Sequence, residues 1–284
     1  MLLLRVLRVH HWTKNFLVFI PMLMGHQLRW RPAAIAFAAF CLASSATYIF
    51  NDVVDVEHDR AHRSKRRRPL SANEISRGAA LAVMLACAAG GLALAWIINR
   101  ETLLGVALYL ALSTIYTLIL KRVLVADVIV LASFYSLRLL VGGAATSIVV
   151  SRWLLAFSSF IFVSLALAKR YSDLTRAEAN AEADPAGRRY ITADRQVLLS
   201  LGTASGMISV LVFALYLNSP QVTTLYSNTD PLWLVCALLM YWIARIWLLA
   251  DRGVIDDDPI VTAATDPASY VVAIAAAAIV WIAI

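Results

Sequence analysis

The sequence predicts an all-α integral membrane protein built from about nine transmembrane helices. Composition is the first reason. Of 284 residues, 61% are hydrophobic and only 15% charged, and the mean hydropathy of +0.74 lies well beyond the range of a soluble domain. Segment length is the second: apolar runs recur near 15–31, 33–52, 78–98, 102–120, 125–147, 152–172, 197–217, 231–250 and 268–284. Each can carry a helix most or all of the way across a ~30 Å hydrocarbon core at ~1.5 Å per residue. Pattern is the third, because these runs are too uniformly apolar for barrel strands, and a helix satisfies its own backbone in lipid.

Taken in order, the segments form one domain over 1–284, with two four-helix halves, roughly 1–122 and 123–250, and a ninth helix at 268–284. Most connections are short. Two are long, 53–77 and 173–196, and they follow segments 2 and 6, so each half carries one loop large enough to be functional. The opening "MLLLRVLRVHHWTKN" has an apolar start too short for a signal-peptide core and no small-residue cleavage site behind it, so segment 1 is expected to remain as a span.

Lys and Arg number 25 against 18 Asp and Glu, a net charge of +7, and their placement says more than the sum. Apart from Arg138 and Arg245 inside segments, all but Arg29, Arg31, Arg100 and Arg152 lie before segment 1, at the end of segment 6 (Lys169 and Arg170) or after segments 2, 4, 6 and 8. The positive-inside rule then puts the N-terminus and the even-numbered loops in the cytoplasm and the C-terminus outside. The basic run is a cytoplasmic feature and not a nucleic-acid site, since no soluble domain remains to present one. Cys41, Cys87 and Cys236 all sit in apolar segments without CxxC spacing and read as small core residues with no redox or zinc role.

The chemistry concentrates in "NDVVDVEHDRAHRSKRRRPL", residues 51–70. Asn51, Asp55 and Asp59 are spaced i, i+4, i+8, so at ~100° per residue each step advances only about 40° and the three share a face of a helix continuing beyond segment 2. Asp52 lies close enough to support the same site. A solvated helix end is the alternative, but carboxylates at the edge of an apolar segment are costly and usually functional. Converging oxygen donors need a cation, and hard donors of this kind select Mg²⁺ shared with substrate phosphates. Lys65, Arg66, Arg67 and Arg68 follow directly, and a basic loop beside a metal-binding face suits a diphosphate.

These residues resemble the NDxxDxxxD and K-x-x-R-P-L signature of the UbiA superfamily of intramembrane prenyltransferases. The resemblance covers essentially the whole chain. It implies a helical bundle around a lipid-accessible cavity in a bacterial inner (plasma) membrane, with two acidic motifs binding a Mg²⁺-diphosphate at its cytoplasmic end. Asn51, Asp52, Asp55 and Asp59 would hold the metal, and Asp55, Asp59 and Asp173 would be the catalytic acids.

The second motif departs from the family pattern. Prenyl-transferring members carry a DxxDxxxD-like cluster after the sixth helix, whereas "LALAKRYSDLTRAEA" puts Lys169, Asp173 and Ala177 at i, i+4 and i+8. Cations that replace carboxylates favour a donor with more phosphate. "RVHHWTKN", "AKRYSDL" and "DVIVLASFYSLRLLVGG" are similar to the polyprenyl-phosphate phosphoribosyltransferase branch, which moves 5-phosphoribose from phosphoribosyl diphosphate to a lipid phosphate. On that basis Lys14, Lys65, Arg66, Arg68, Arg138, Lys169, Arg170 and Tyr171 are candidate substrate-binding residues. Arg138 has a structural alternative, a pair with Asp127 or Asp173, and Lys14 could instead snorkel to the interface. Arg245 reads like Arg138, His10 and His11 read as interfacial, and "DDDP" at 256–259 reads as a helix cap or loop cluster. A separate phosphatase acting on the product is a further expectation. Prenyl transfer to an aromatic or other acceptor is the rival function, and transport of a phosphorylated lipid a remoter one.

Overall fold

A computed structural model describes residues 2–61, 65–179, 189–255, 262 and 266–284. In chain order the α-helices are α1 (Leu2–Leu7), α2 (Ile20–Met24), α3 (Trp30–Val54), α4 (Val56–Ala61), α5 (Arg77–Ile98), α6 (Arg100–Leu118), α7 (Ala126–Thr146), α8 (Arg152–Ala179), α9 (Arg195–Leu217), α10 (Pro220–Thr223), α11 (Trp233–Asp251) and α12 (Pro267–Ala283). Among the described residues, seven helices are long and apolar enough to cross a membrane, and α12 is a shorter apolar helix of 17 residues.

The first expected span, 15–31, differs most from a continuous helix. Val9–Phe19 forms a 3₁₀ run of 11 residues, and α2 adds only five more. Pro21 is the second residue of α2; having no N–H, it donates no hydrogen bond back into the preceding 3₁₀ run, as suits a helix start.

The chain groups into two compact units, one of residues 1–121 and 137–150, the other of 122–136 and 151–284. In the first, α3 packs on α5 and α6 through small residues. Ala36, Ala39 and Ala43 of α3 and Ala80, Cys87 and Ala95 of α5 are buried, and a Cβ on Gly91 would come within 2.9 Å of the Ala39 carbonyl oxygen. Small residues permit such backbone approach where no hydrophobic force drives helices together in lipid. Gly142 of α7 makes the tightest fit, since a Cβ there would lie 2.1 Å from the Val18 carbonyl oxygen. Side-chain caps start two of these helices: Ser76 accepts from Ala79 N–H, and Asn99 from Thr102 N–H.

In the second unit α8 packs on α9 and α11. The Trp247 indole donates to Ser164 Oγ at 3.0 Å, and Ser164 donates to the Gly202 carbonyl at 2.7 Å, so these two polar side chains within apolar helices have partners. Large side chains such as Trp96, Ile97, Leu85 and Leu108 point outward, Trp96 being 70% exposed. That surface suits hydrocarbon, not water.

Candidate active site

The acidic face forms where α3 hands over to α4. Asp55 caps α3 at φ −97°, ψ 8°, yet Asp55 N–H still donates to Asn51 O at 2.9 Å and Asp59 N–H to Asp55 O at 2.8 Å. The helical phase therefore carries through the bend. Asp52 and Asp59 are buried, and both accept from Arg68 Nη1, at 3.1 and 2.5 Å. Seven residues turn a helix by about 700°, only ~20° short of two full turns, so positions 52 and 59 are closer in phase than 51 and 59. Asp52 also accepts from Arg8 Nη2 at 2.5 Å, and the Lys121 ammonium lies 2.6 and 2.8 Å from the two Asp55 oxygens. Each of the three carboxylates is thus closed by a cation from another part of this unit, which offsets their mutual repulsion and the cost of burial.

Other predicted residues of this unit take separate places. Lys14 is buried, with its ammonium 3.4 Å from Tyr48 Oη, and Arg8 stacks over the Tyr48 ring at 5.3 Å. Arg66 is exposed, and the Lys65 side chain lies outside the described residues. Arg138 is buried; its Nε donates to Asn15 Oδ1 at 2.8 Å, and its guanidinium lies over the Tyr109 and Phe40 rings at 5.1 and 5.4 Å. The two acids weighed as its partners, Asp127 and Asp173, hold other cations.

In the second unit, Lys169 Nζ lies 2.9 Å from Asp173 Oδ1, and Arg176 Nη2 donates to the same oxygen at 2.9 Å. Ala177 is buried. The sequence reading set Lys169 and Arg170 around Asp173; Arg170 Nη1 lies 3.9 Å from Asp173 Oδ2, and Arg176, one turn on, is an addition. Arg170 sits about 100° round the helix from Lys169 and is buried, donating Nε to Asp127 Oδ2 at 2.8 Å. Tyr190 donates to Asp127 Oδ1 at 2.7 Å and accepts from Val125 N–H at 2.9 Å. Burial, aided by the Asp127 carboxylate, pushes the Tyr190 phenol well above its usual pKa. Tyr171 is buried against Trp247 and donates to Asp251 Oδ1 at 2.6 Å. Arg245 donates to Asp266 Oδ1 at 2.6 Å, and Asp256, Asp257 and Asp258 lie outside the described residues.

Sequence reading passed over Arg8, Lys121, Arg176 and Tyr190. Arg8 opens "RVHHWTKN" and Arg176 lies within the second motif, but neither was assigned a role, and Lys121 was visible only as positive-inside charge. Nothing local marks Tyr190, whose partners lie more than sixty residues back in the chain.

Among the described residues, no group of three or more His, Cys, Asp or Glu side chains stands ready-made for a metal. The donor set at 51–59 nevertheless fits Mg²⁺: an amide oxygen and carboxylates are the hard ligands it takes, and every one of these carboxylates already sits against a positive charge. Asn51, Asp52, Asp55 and Asp59 are the residues that could hold it.

Long apolar helices with paired acids and cations at their ends define a polytopic membrane protein. A sequence profile for the UbiA prenyltransferase family matches residues 16–262, and the chain belongs to that family. It is 40% identical over 271 residues to the uncharacterized protein y4nM of Sinorhizobium fredii, a match covering 93% of this chain and 52% of that protein. The chain thus spans about half the length of that relative. It is 33% identical to the nodulation protein NoeC of Azorhizobium caulinodans over 93% of this chain and 87% of the relative. Decaprenyl-phosphate phosphoribosyltransferase of Mycobacterium tuberculosis is 35% identical over 187 residues, 63% of this chain and 62% of the enzyme. A UbiA homologue from Archaeoglobus fulgidus, solved with GPP and Mg²⁺, superposes with a TM-score of 0.74 at 16% identity, covering 99% of this chain and all of that one. At that identity the likeness shows the fold.

Proposed function

We propose that the protein transfers 5-phosphoribose from phosphoribosyl diphosphate to a polyprenyl phosphate, with release of diphosphate and with Mg²⁺ as cofactor. The observation that carries the reading is the charge of the second cluster: Lys169 and Arg176 close on a single acid, Asp173. A donor bearing a 5-phosphate besides its diphosphate gives these cations a partner. The phosphoribosyltransferase relative at 35% identity supports the same branch.

Breaking the C1–O bond leaves an oxocarbenium-like sugar and a highly charged leaving group, so the main demand on the protein is electrostatic. Asn51, Asp55 and Asp59, with Asp52 beside them, would hold the metal, which when bound neutralises the departing diphosphate. Arg68 would turn from the carboxylates to phosphate oxygens. Lys169 would hold phosphate, and Asp173 would orient ribose hydroxyls. The attacking lipid phosphate oxygen is already anionic, so no side chain is assigned as general base. In-line displacement inverts C1. The site faces the cytoplasm in this reading, by the distribution of Lys and Arg.

Prenyl transfer from a prenyl diphosphate is the second reading, favoured by the intact first motif and by the GPP-bound homologue of the same fold. Mass spectrometry of lipids formed when the purified protein meets both donors and both acceptor classes separates the two: a phosphoribosylated polyprenyl phosphate supports the first, and a prenylated acceptor alone replaces it with the second.

A further inference from the structure

Arg8 lies outside both acidic motifs, in an arm that precedes the first apolar segment, yet its guanidinium makes one of the shortest contacts to the acidic face, 2.5 Å from Asp52 Oδ1. Asp52 also accepts from Arg68, which in turn holds Asp59 at 2.5 Å. One buried carboxylate therefore has two cations. The backbone at Arg8 is left-handed, φ 50° and ψ 50°, a conformation that is costly for a residue with a Cβ and persists only where surrounding contacts impose it.

The contacts on either side form a strap. Before Arg8, Arg5 donates to Glu74 at 2.7 Å and to the Arg67 carbonyl at 2.9 Å, tying the arm to the basic loop. Val6 packs with Ile49, Val56, Leu70 and Ala80. After it, Ser45 donates to the Leu7 carbonyl at 2.8 Å, and the Trp12 indole donates to Ser45 at 3.1 Å, pinning the arm to α3. The segment that follows is a long 3₁₀ run, a geometry that accompanies hinges and strain. The strain thus falls on the one residue of the arm that reaches the acids.

We infer that Arg8 is a resident counter-ion of the acidic face that changes partner when the donor binds, passing from Asp52 in the free chain to a diphosphate oxygen once Asp52 and its neighbours face a divalent cation. The inference rests on the metal-diphosphate reading above and adds to it a residue and a direction. Arg8 opposes the bare metal and favours the metal with diphosphate. A cation 2.5 Å from a carboxylate competes with any metal for that oxygen and repels it, whereas once diphosphate arrives the same guanidinium meets charge of opposite sign and binds it in the forked geometry arginine offers.

The two signs give the test. Mn²⁺ binding to the purified full-length protein in detergent is followed by electron paramagnetic resonance, with and without inorganic diphosphate, for the wild type, Arg8→Gln and Arg8→Lys. Arg8→Gln is expected to bind Mn²⁺ alone several-fold more tightly and Mn²⁺ with diphosphate about tenfold more weakly, the loss that follows removal of one charge-assisted contact. Arg8→Lys keeps the charge without the fork and is expected to lie between the wild type and Arg8→Gln in both. A variant that only loosened the fold would weaken both together. Equal affinities for wild type and Arg8→Gln in the two conditions, or a parallel fall in both, overturn the role of Arg8 while leaving the metal reading in place. Absence of Mn²⁺ binding by every protein even with diphosphate overturns the metal reading and the exchange with it.

Discussion

Arg170 donates Nε to Asp127 at 2.8 Å, and both side chains are almost completely buried. A pair forty-three residues apart thus fixes the start of α7 against α8, and Tyr190 completes it from the other carboxylate oxygen. This placement distinguishes two neighbours that the sequence grouped together: Lys169 lies 2.9 Å from Asp173, whereas Arg170 is anchored inward on Asp127 and reaches Asp173 only at 3.9 Å.

Their variants should therefore fail differently. Lys169→Ala is expected to lower donor use ten- to a hundredfold, as the loss of about 1.5–3 kcal/mol of charged contact would do, with an unchanged melting temperature. Arg170→Ala is expected to strand Asp127 and cost about 3–5 kcal/mol of stability, the usual penalty for removing half of a buried pair. Steady-state kinetics alongside thermal unfolding in detergent checks both; normal folding with depressed donor use in Arg170→Ala would return that residue to the substrate.

Tyr190→Phe keeps the ring and removes only the hydroxyl that Asp127 and the Val125 N–H share. It should cost about 1–3 kcal/mol, the price of leaving buried polar groups unpaired, again read as a lower melting temperature. An unchanged melting temperature would mean that this contact contributes nothing.

The Arg245 guanidinium beside Asp266 holds that carboxyl below its ordinary value. Asp266 also caps α12 by accepting from Ser269 N–H. A depressed carboxyl contributes stability that is fully present above its unfolded pKa, about 4, and is lost as pH falls through the lower folded value. Between pH 6 and pH 3 the wild type should therefore lose more thermal stability than Asp266→Asn. Parallel curves would remove the pair from the account.

Cysteines at Arg66 and Glu101, beyond the two ends of α5, should label from opposite sides of the membrane if the charge asymmetry has been read correctly. Labelling from one side contradicts the placement of α5 as a span.

The spans were legible because hydrocarbon demands long apolar helices, a constraint that acts on each segment separately. The first differs as a 3₁₀ run followed by a five-residue helix. At the site, the acidic residues could be read from spacing alone, and the Asp52–Asp59 relation was available from the same arithmetic, as an interval of seven. What could not be read was the choice of partner. Arg8, Lys121 and Arg170 look alike in sequence as charges near helix ends, and only the fold decides that Arg8 meets Asp52, Lys121 meets Asp55 and Arg170 turns inward to Asp127. Buried polar groups must be satisfied, but sequence does not say by whom.

Asp55→Asn and Asp59→Asn should each remove most Mg²⁺-dependent turnover while leaving the helices folded, since Asp55 keeps a hydrogen-bonding side chain for Lys121 and Asp59 one for Arg68. Circular dichroism with activity across a Mg²⁺ titration checks this; near-normal turnover with the metal chelated would contradict the assignment.

The central claim is the identity of the transferred group. Purified protein, Mg²⁺, phosphoribosyl diphosphate labelled in the ribose, and a polyprenyl phosphate are combined, and the label is followed into the lipid phase. Ribose label should enter the lipid fraction in a Mg²⁺-dependent way that Asp55→Asn abolishes. No label in the lipid, together with robust prenylation of an aromatic acceptor from a prenyl diphosphate by the same preparation, would contradict it.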